Sequence, residues 1–274
     1  MKLGRRAVKN VAVLIHADAG QESRLQAALD LVRGLHGHLI AIDVTAMPPI
    51  AEDPVIGPTT LASYISEELA VQDDNRARIK ARLLIEDAPW TLAECMGDVA
   101  SCLASHTALT DLVVINTVFD GFPGGDMDGV VASMLRLNRP VLAVPSATRG
   151  IVLQGTALVA WDGSDESDAA LRAAIPILAL AREVRILSID RGSIKHPPEL
   201  AASYLSRHGI RPEIMVVPAE TGRIGQQILA QALRIEPALI VMGGFGHSRL
   251  IETLFGGVTR DLLHNSPYPV FLAQ

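Results

Sequence analysis

The sequence predicts two α/β domains in tandem, each built as a doubly wound parallel sheet with helices on both faces. Short apolar strands alternate with helical patterns along the chain, and this alternation is typical of parallel sheets with right-handed crossovers. An internal repeat is the second observation, because both halves pass through the same succession of strands and helices. The third is size, since 274 residues are enough for two domains of ordinary length.

Each half opens with an apolar strand, a helix and a second strand. These segments are 11–15, 23–35 and 38–44 in the first half and 157–161, 166–181 and 184–190 in the second. In the helix of the second half, alanine, leucine and isoleucine recur at spacings of three and four residues. That periodicity predicts one buried helix face.

The two halves also end alike, with a helix, a buried strand and a last apolar strand that follows a proline. These segments are 97–106, 111–116 and 139–145 in the first half and 221–233, 239–243 and 268–273 in the second. The linker at 146–155 separates the two copies. We therefore predict one domain over residues 1–148 and another over residues 152–274.

The first half carries an insert over 45–87 that has no counterpart in the second half. It begins with a proline-rich segment, and the remainder predicts a long helix over 61–84. A long insertion of this kind is either an added layer of packing, which we favour, or a lid over a binding site.

The two cysteines, Cys95 and Cys102, lie seven positions apart in what the pattern predicts to be one helix. Two cysteines are too few for a disulfide framework or a zinc site. We therefore expect two buried small side chains.

Composition restricts the class of protein. Apolar residues make up 49% of the chain, so we expect a substantial core and no global disorder. The net charge of −6 and the pI near 5.7 argue against binding to nucleic acid or to anionic membranes. The apolar run at 11–15 is too short for a signal peptide or a membrane span, so we expect a cytoplasmic protein.

A glycine-rich loop follows the buried strand at 239–242 and leads into a helix predicted over 258–264. Its glycines are Gly243, Gly244, Gly246, Gly256 and Gly257. Glycine lets the backbone approach a ligand closely, and the free N–H groups at a helix start attract anions. The loop therefore predicts a phosphate-binding site.

At these residues the sequence resembles the universal stress protein family. Gly243, Gly246 and Gly256 have the glycine spacing of the nucleotide-binding members of that family. Gly257 stands where those members have serine or threonine. The resemblance covers nearly the whole chain twice and is stronger in the second half. It implies a five-stranded sheet of order 3-2-1-4-5 in each domain.

In that order, a ligand binds between strands one and four, where the strand order reverses. Asp162 leaves strand one of the second half, and Gly243 leaves strand four. The segment around Asp162, WDGSDES, resembles the first-strand signature of the family, whose Asp meets the adenosine. For the neighbouring Ser164, a helix N-cap is the simpler interpretation.

The resemblance implies nucleotide contacts at eleven positions of the second half. Those expected near the adenine and the adenosine are Ala160, Trp161, Asp162 and Ile189. Those expected near the ribose and the first phosphate are Met242, Gly243 and Gly246, and those near the outer phosphates are Gly256, Gly257, Val258 and Thr259.

The first half lacks this loop. After the strand at 111–116 the glycine spacing of the family is absent, and Asp120, Asp126 and Asp128 would repel a triphosphate at close range. We therefore expect one nucleotide site per chain, in the second half.

The resemblance implies a stress-response regulator that binds ATP or another adenine nucleotide, with magnesium beside the phosphates. The alternative is a scaffold that binds no nucleotide and acts through protein contacts, which Gly257 favours. The sequence has no P-loop and no nucleophile elbow, so we expect at most slow ATP hydrolysis and no dedicated enzyme. A hydrolase or nucleotidyl-transferring enzyme stays open, because fold does not fix function.

The resemblance also implies how the two halves associate. The family pairs domains through the last strand, which corresponds here to 140–144 and 269–273. We therefore expect an internal pseudo-dimer, to which a homodimer of chains could be added.

Overall fold

A computed structural model describes residues 8–46, 58–117, 127–190, 192, 195–220, 223–244 and 257–274. The elements of the first half are β1 (Asn10–Ile15), α1 (Gln21–Leu35), β2 (His38–Ala46), α2 (Pro58–Leu83), β3 (Trp90–Gly97), α3 (Val99–His106), β4 (Leu112–Asn116), α4 (Met127–Arg136) and β5 (Val141–Val144). Those of the second half are β6 (Thr156–Ala160), α5 (Asp165–Leu178), β7 (Glu183–Asp190), α6 (Pro198–Arg207), β8 (Pro212–Pro218), α7 (Ile224–Ile235), β9 (Leu239–Gly243), α8 (Gly257–Asn265) and β10 (Val270–Ala273).

These strands form one sheet of order β3-β2-β1-β4-β5-β10-β9-β6-β7-β8. Within each half all neighbours are parallel and follow the order 3-2-1-4-5, so the predicted fold and strand order are confirmed. The halves join where β10 runs antiparallel to β5, with Phe271 opposite Leu142. The predicted pairing of the last strands is therefore confirmed.

The sheet is covered by helices on both faces. Helices α1, α2, α5 and α6 pack on one face, and α3, α4, α7 and α8 pack on the other. Strands enclosed in this way need apolar side chains in both directions, and every residue of β4, β5 and β10 is buried. Within the described residues, no helix is long and apolar enough to span a membrane.

The long helix predicted in the insert is present as α2. Its last turns bury Ile79 and Leu83 against the sheet. Its middle buries Asn75, which exchanges two hydrogen bonds of 2.8 Å with Gln21 at the start of α1. These contacts make α2 an added layer of packing over the first half, while residues 47–57 lie outside the described part of the chain.

The prediction of a single helix for the two cysteines is wrong, and of the two side chains expected to be buried, Cys102 is buried and Cys95 is half-buried. Cys95 lies in β3 and Cys102 lies in α3, and a disulfide joins them across a Cα–Cα distance of 5.8 Å. Between them Gly97 has a φ of 145°, a conformation that favours glycine. The chain turns there directly from strand to helix, which returns the first turns of α3 to the side of β3.

Candidate functional site

The carboxyl edge of the second half carries an apolar surface between β6, β7, β9 and α8. Ala160, Ile189 and Met242 lie in the last two residues of their strands and belong to the same apolar cluster as Val258 on α8. Ala160 and Met242 are buried, and Ile189 and Val258 are half-buried. Four of the predicted positions therefore belong to the apolar layer on one face of the sheet, and three of them lie at the carboxyl ends of their strands.

Trp161 faces the opposite layer. Its side chain is 3% exposed and packs in the cluster under α5 and α6, where its Nε1 donates to the His196 carbonyl oxygen at 2.9 Å. The Trp161 indole therefore belongs to the core. At this edge of the sheet Trp161 can offer only its backbone.

Asp162 is exposed at the turn between β6 and α5. Its Oδ1 accepts from the backbone N–H of Ser164 at 3.0 Å and from the Ser164 hydroxyl at 2.6 Å, a local turn that fixes the carboxylate. The Ser164 Oγ in turn accepts from the Ser167 N–H at 3.1 Å, so its predicted role as the N-cap of α5 is confirmed.

Gly243, at the end of β9, packs against the first turn of α5. A Cβ at this position would lie 2.7 Å from the backbone carbon of Glu166 and from the backbone nitrogen of Ser167. No side chain tolerates such an approach, so the fold itself requires glycine here. Gly243 thereby keeps β9 and α5 in contact next to the apolar surface.

Helix α8 begins at Gly257, whose surroundings are open. No described atom lies within 4 Å of the position that a Cβ on Gly257 would take, whereas Thr259 is buried in the first turn. The first N–H groups of a helix carry partial positive charge and suit an anion. Gly246 and Gly256, the other two glycines of the predicted spacing, lie outside the described residues.

The strand registers align the two halves residue by residue. β1 pairs with β4 as β6 pairs with β9, and Ser23 and Ser167 make the same bond to the carbonyl oxygen of their N-cap residues. In each half the strand order reverses between the first and fourth strands, and we call the carboxyl end of these two strands the switch point. The equivalent pairs at the two switch points are Leu14 and Ala160, His16 and Asp162, Arg24 and Asp168, and Asn116 and Gly243. The two switch points can therefore be compared directly.

In the first half, the switch point is filled by Arg24. This fully buried side chain donates from Nε to the Leu14 carbonyl oxygen at 2.6 Å and from Nη2 to the His16 carbonyl oxygen at 2.9 Å. Its Nη1 also bonds to Asn116 Oδ1 and, at 2.7 Å, to Asp18. Burial lowers the pKa of Arg24, and Asp18 acts in the opposite direction.

The Asn116 side chain also occupies the switch point of the first half. Its Nδ2 donates to Ser23 Oγ at 2.9 Å and to the Val144 carbonyl oxygen at 3.0 Å. A Cβ on Gly20 would lie 2.5 Å from the Asn116 side chain, so α1 and β4 are in direct contact through this amide. Sequence reasoning missed Arg24 and Asn116. The available signal was a basic residue at the start of α1, aligned with an aspartate in the second half.

Asp128 connects the first half to α8. Its buried carboxylate lies 3.1 Å and 3.2 Å from His264 Nε2 and 3.4 Å from Arg260 Nε, both on α8. The same number of residues separates the end of α4 from β5 and the end of α8 from β10. When the two halves are aligned on these last strands, Asp128 is the counterpart of Gly257. Of the three aspartates that we expected to repel a triphosphate, Asp128 is therefore engaged with two basic side chains. Asp120 and Asp126 lie outside the described residues.

No metal-binding cluster is found in the described part of the chain. Across those residues, no group of three or more His, Cys, Asp and Glu side chains could hold a metal ion.

Comparison with known proteins assigns the second half. Residues 155–274 match the model of the Universal stress protein family. The second half is a universal stress protein domain. Because the first half repeats the same strand order, the tandem arrangement fits a second domain of this fold in the first half.

Solved structures share the architecture of the whole chain. A universal stress protein from Archaeoglobus fulgidus DSM 4304 is 14% identical with a TM-score of 0.73, and the match covers 98% of this chain and 97% of that one. A protein of unknown function from Pseudomonas aeruginosa PAO1 is 16% identical with a TM-score of 0.61, covering 97% and 92%. At such identities the likeness shows the tandem universal stress protein fold alone. No curated protein matches the sequence significantly.

Proposed function

We propose that this universal stress protein binds ATP, or another adenine nucleotide, in its C-terminal domain and acts as a nucleotide-responsive regulator in the stress response. The base would lie beside Ala160 and Ile189, and the ribose and first phosphate would lie beside Met242 and Gly243. The exposed Asp162 carboxylate would face the adenosine. The domains would be those predicted, residues 1–148 and 152–274, with one nucleotide per chain.

One observation carries this proposal, the difference between the two switch points. In the first half, the Arg24 guanidinium and the Asn116 amide fill the space between β1 and β4. In the second half the counterpart of Asn116 is Gly243, and the counterpart of Arg24 is Asp168, whose carboxylate accepts from Arg172 on the outer face of α5 at 2.8 Å. Polar side chains thus fill the first switch point, whereas at the second the counterpart of Arg24 pairs with Arg172 on the outer face of α5 and the α5 backbone packs on Gly243.

The phosphates would lie at the start of α8. Gly257 and Val258 would offer backbone N–H groups there, and Thr259 would offer a hydroxyl. The glycine spacing adds Gly246 and Gly256 to this proposed contact set. Magnesium bound beside the phosphates would neutralise part of their charge. The proposed protein is a binder with at most slow ATP hydrolysis.

The test measures nucleotide content and affinity together. Mass spectrometry identifies the small molecule that the purified protein releases on denaturation, and titration calorimetry with ATP and magnesium gives the stoichiometry. The expected result is about one nucleotide per chain. Two nucleotides per chain would contradict the inference that the switch point of the first half is filled. Absence of any nucleotide would favour the alternative, a scaffold that acts through protein contacts.

Gly257→Asp sharpens this test because it copies the residue that the first half has at the same position. No described atom lies within 4 Å of the Cβ position, so the side chain should leave the described contacts of α8 unchanged. Like charges about 4 Å apart repel by ~1 to 4 kcal/mol at effective dielectric constants between those of water and a protein surface. We therefore expect ATP affinity to fall at least about fivefold. Gly257→Ala is the matched control, since it adds a Cβ without the charge.

A further inference from the structure

We propose that Cys95 and Cys102 form a reversible dithiol–disulfide couple, which makes the β3–α3 turn a site of thiol oxidation in this protein. The two residues are joined by a disulfide, and their Cα–Cα distance of 5.8 Å lies in the range that a disulfide spans without moving the backbone. The chain contains two cysteines, so each has one possible partner within it.

Both elements that the disulfide joins are held by other interactions. β3 pairs with β2 along its full length, from Trp90 opposite Leu39 to Gly97 opposite Ala46. α3 is capped by Asp98, whose Oδ2 accepts from the Ser101 N–H at 2.8 Å. Strand and helix therefore keep their places when the bond is reduced, as a reversible couple requires.

The bond also closes a very short loop. The two cysteines are separated by seven positions, so the disulfide restricts little of the unfolded chain compared with one that joins distant segments. A bond of this kind contributes less to global stability than a long-range crosslink would. This again favours a folded reduced state.

Access to the two sulfur atoms differs. Cys95 is half-buried on β3, which is an edge strand of the sheet. Cys102 is 2% exposed and packs in the apolar cluster under α3 and α4. A reagent from solvent therefore reaches Cys95 first, and Cys102 acts as the resolving thiol behind it.

The oxidant would be a low-molecular-weight disulfide of the glutathione class. The Cys95 thiolate attacks one sulfur of the oxidant, which forms a mixed disulfide and releases one thiol. The Cys102 thiolate then attacks Cys95 Sγ, closes the protein disulfide and releases the second thiol. Two electrons pass to the oxidant, and the two protons of the protein thiols end on the released thiols. An excess of reduced thiol reverses both steps.

The test equilibrates the full chain in glutathione buffers of graded reduced-to-oxidised ratio. After acid quenching and alkylation, mass spectrometry counts the free thiols, and far-ultraviolet circular dichroism follows the fold. We expect one two-electron transition between two and no alkylated cysteines, with an unchanged circular dichroism spectrum. Absence of the disulfide at every ratio, or loss of the helical signal on reduction, would overturn the proposal.

Two single variants test the order of attack. In Cys102→Ser, the remaining Cys95 should accept one glutathione per folded chain. In Cys95→Ser, the remaining Cys102 should stay unmodified in the folded chain and should react only in denaturant. Equal reactivity of the two variants, or the reverse order, would overturn the proposal. No nucleotide enters these measurements, so their outcome is separate from that of the nucleotide test.

Discussion

Gly257 stands where the resemblance to nucleotide-binding universal stress proteins leads us to expect serine or threonine. Among the described residues no atom lies within 4 Å of a Cβ at this position, and serine is well tolerated at a helix start. A hydroxyl there would add one hydrogen bond to a charged phosphate, a type of bond worth about 1.5–3 kcal/mol. We expect Gly257→Ser to tighten ATP binding by about tenfold or more in titration calorimetry.

Gly257→Ala is the control for this substitution, because it changes helix propensity in the same direction without a hydroxyl. An equal gain in Gly257→Ala would show that helix stability, and no phosphate contact, is responsible. Unchanged affinity in both variants would show that the phosphates do not reach the start of α8.

Arg24 shows what a single buried charge does for the first half. Removal of this guanidinium would leave the Asp18 carboxylate, the Asn116 amide and two backbone carbonyl groups without their donor. Breaking a buried ion pair on one side costs about 3–5 kcal/mol. We expect Arg24→Met to lower the free energy of unfolding by about this amount in urea titrations. The control, Arg172→Met, removes an exposed i,i+4 pair and should cost less than about 1 kcal/mol.

Asp43 should give the first half a pH dependence. Burial raises the pKa of Asp43, while Arg76 opposes this shift, and Oδ1 of Asp43 has no hydrogen-bond partner among the described residues. Burial also lowers the pKa of Arg76, but its acidic neighbours outweigh burial and raise it. Asp43 is the partner that titrates, because its carboxylate is enclosed and an arginine stays charged at acid and neutral pH.

Proton binding determines whether the free energy of unfolding rises or falls with pH. An acid whose pKa is higher in the folded state binds its proton more tightly there, so its favourable contribution is present at low pH and is lost as pH rises through the folded pKa. Relative to Asp43→Asn, the wild type should therefore lose free energy of unfolding as pH rises from about 4. Urea titrations at graded pH measure this difference. Asp73→Asn, which removes an exposed partner of the same Arg76, should show no such trend.

At the scale of elements, the seam between β5 and β10 decides whether the two halves act as one body. Phe271 is fully buried on β10 and lies opposite Leu142 of the other half. Phenylalanine truncation in a core costs about 3–5 kcal/mol. We expect Phe271→Ala to lower the free energy of unfolding by this amount, measured in urea. Leu233→Ala, on the exposed side of α7, should stay within about 0.5 kcal/mol of wild type.

Elements with a continuous apolar run or a clear helical period could be predicted from the sequence. The strands at the centre of the sheet and the long helix α2 belong to this group, because burial on two faces leaves a strong signal. β3 was missed as a strand near Cys95. It lies at the edge of the sheet and alternates half-buried with exposed residues, so a local pattern of small and polar residues resembles a helix.

The side chains that fill the switch point of the first half could not be predicted either, and the reason differs from that for β3. Arg24 and Asn116 are 92 positions apart in the chain, and their contact depends on the placement of α1 over β4. Local periodicity contains no information about such a pair. Ala160, Ile189 and Met242 were predicted as nucleotide contacts from the family resemblance alone, and in the structure they lie on one face of the sheet.

At the scale of the whole molecule, one sheet joins a half whose switch point is filled to a half whose switch point is proposed to bind a nucleotide. The seam passes through buried residues, and Asp128 of the first half contacts two basic residues of α8. Binding in the second half should therefore stabilise the first half too. A ligand at a hundred times its Kd stabilises the state that binds it by about 2.7 kcal/mol.

We expect ATP with magnesium at that concentration to move one cooperative thermal transition of the whole chain upward by about 5–10 °C. Calorimetry at a fixed protein concentration measures the shift, and Gly257→Asp should reduce it by at least about a third at the same ATP concentration while unfolding at nearly the wild-type temperature without ligand. Two separate transitions, of which ATP moves one, would show that the halves unfold independently despite the shared sheet. In that case the contacts of Asp128 with α8 and the β5–β10 seam would hold the two halves together without coupling their stabilities.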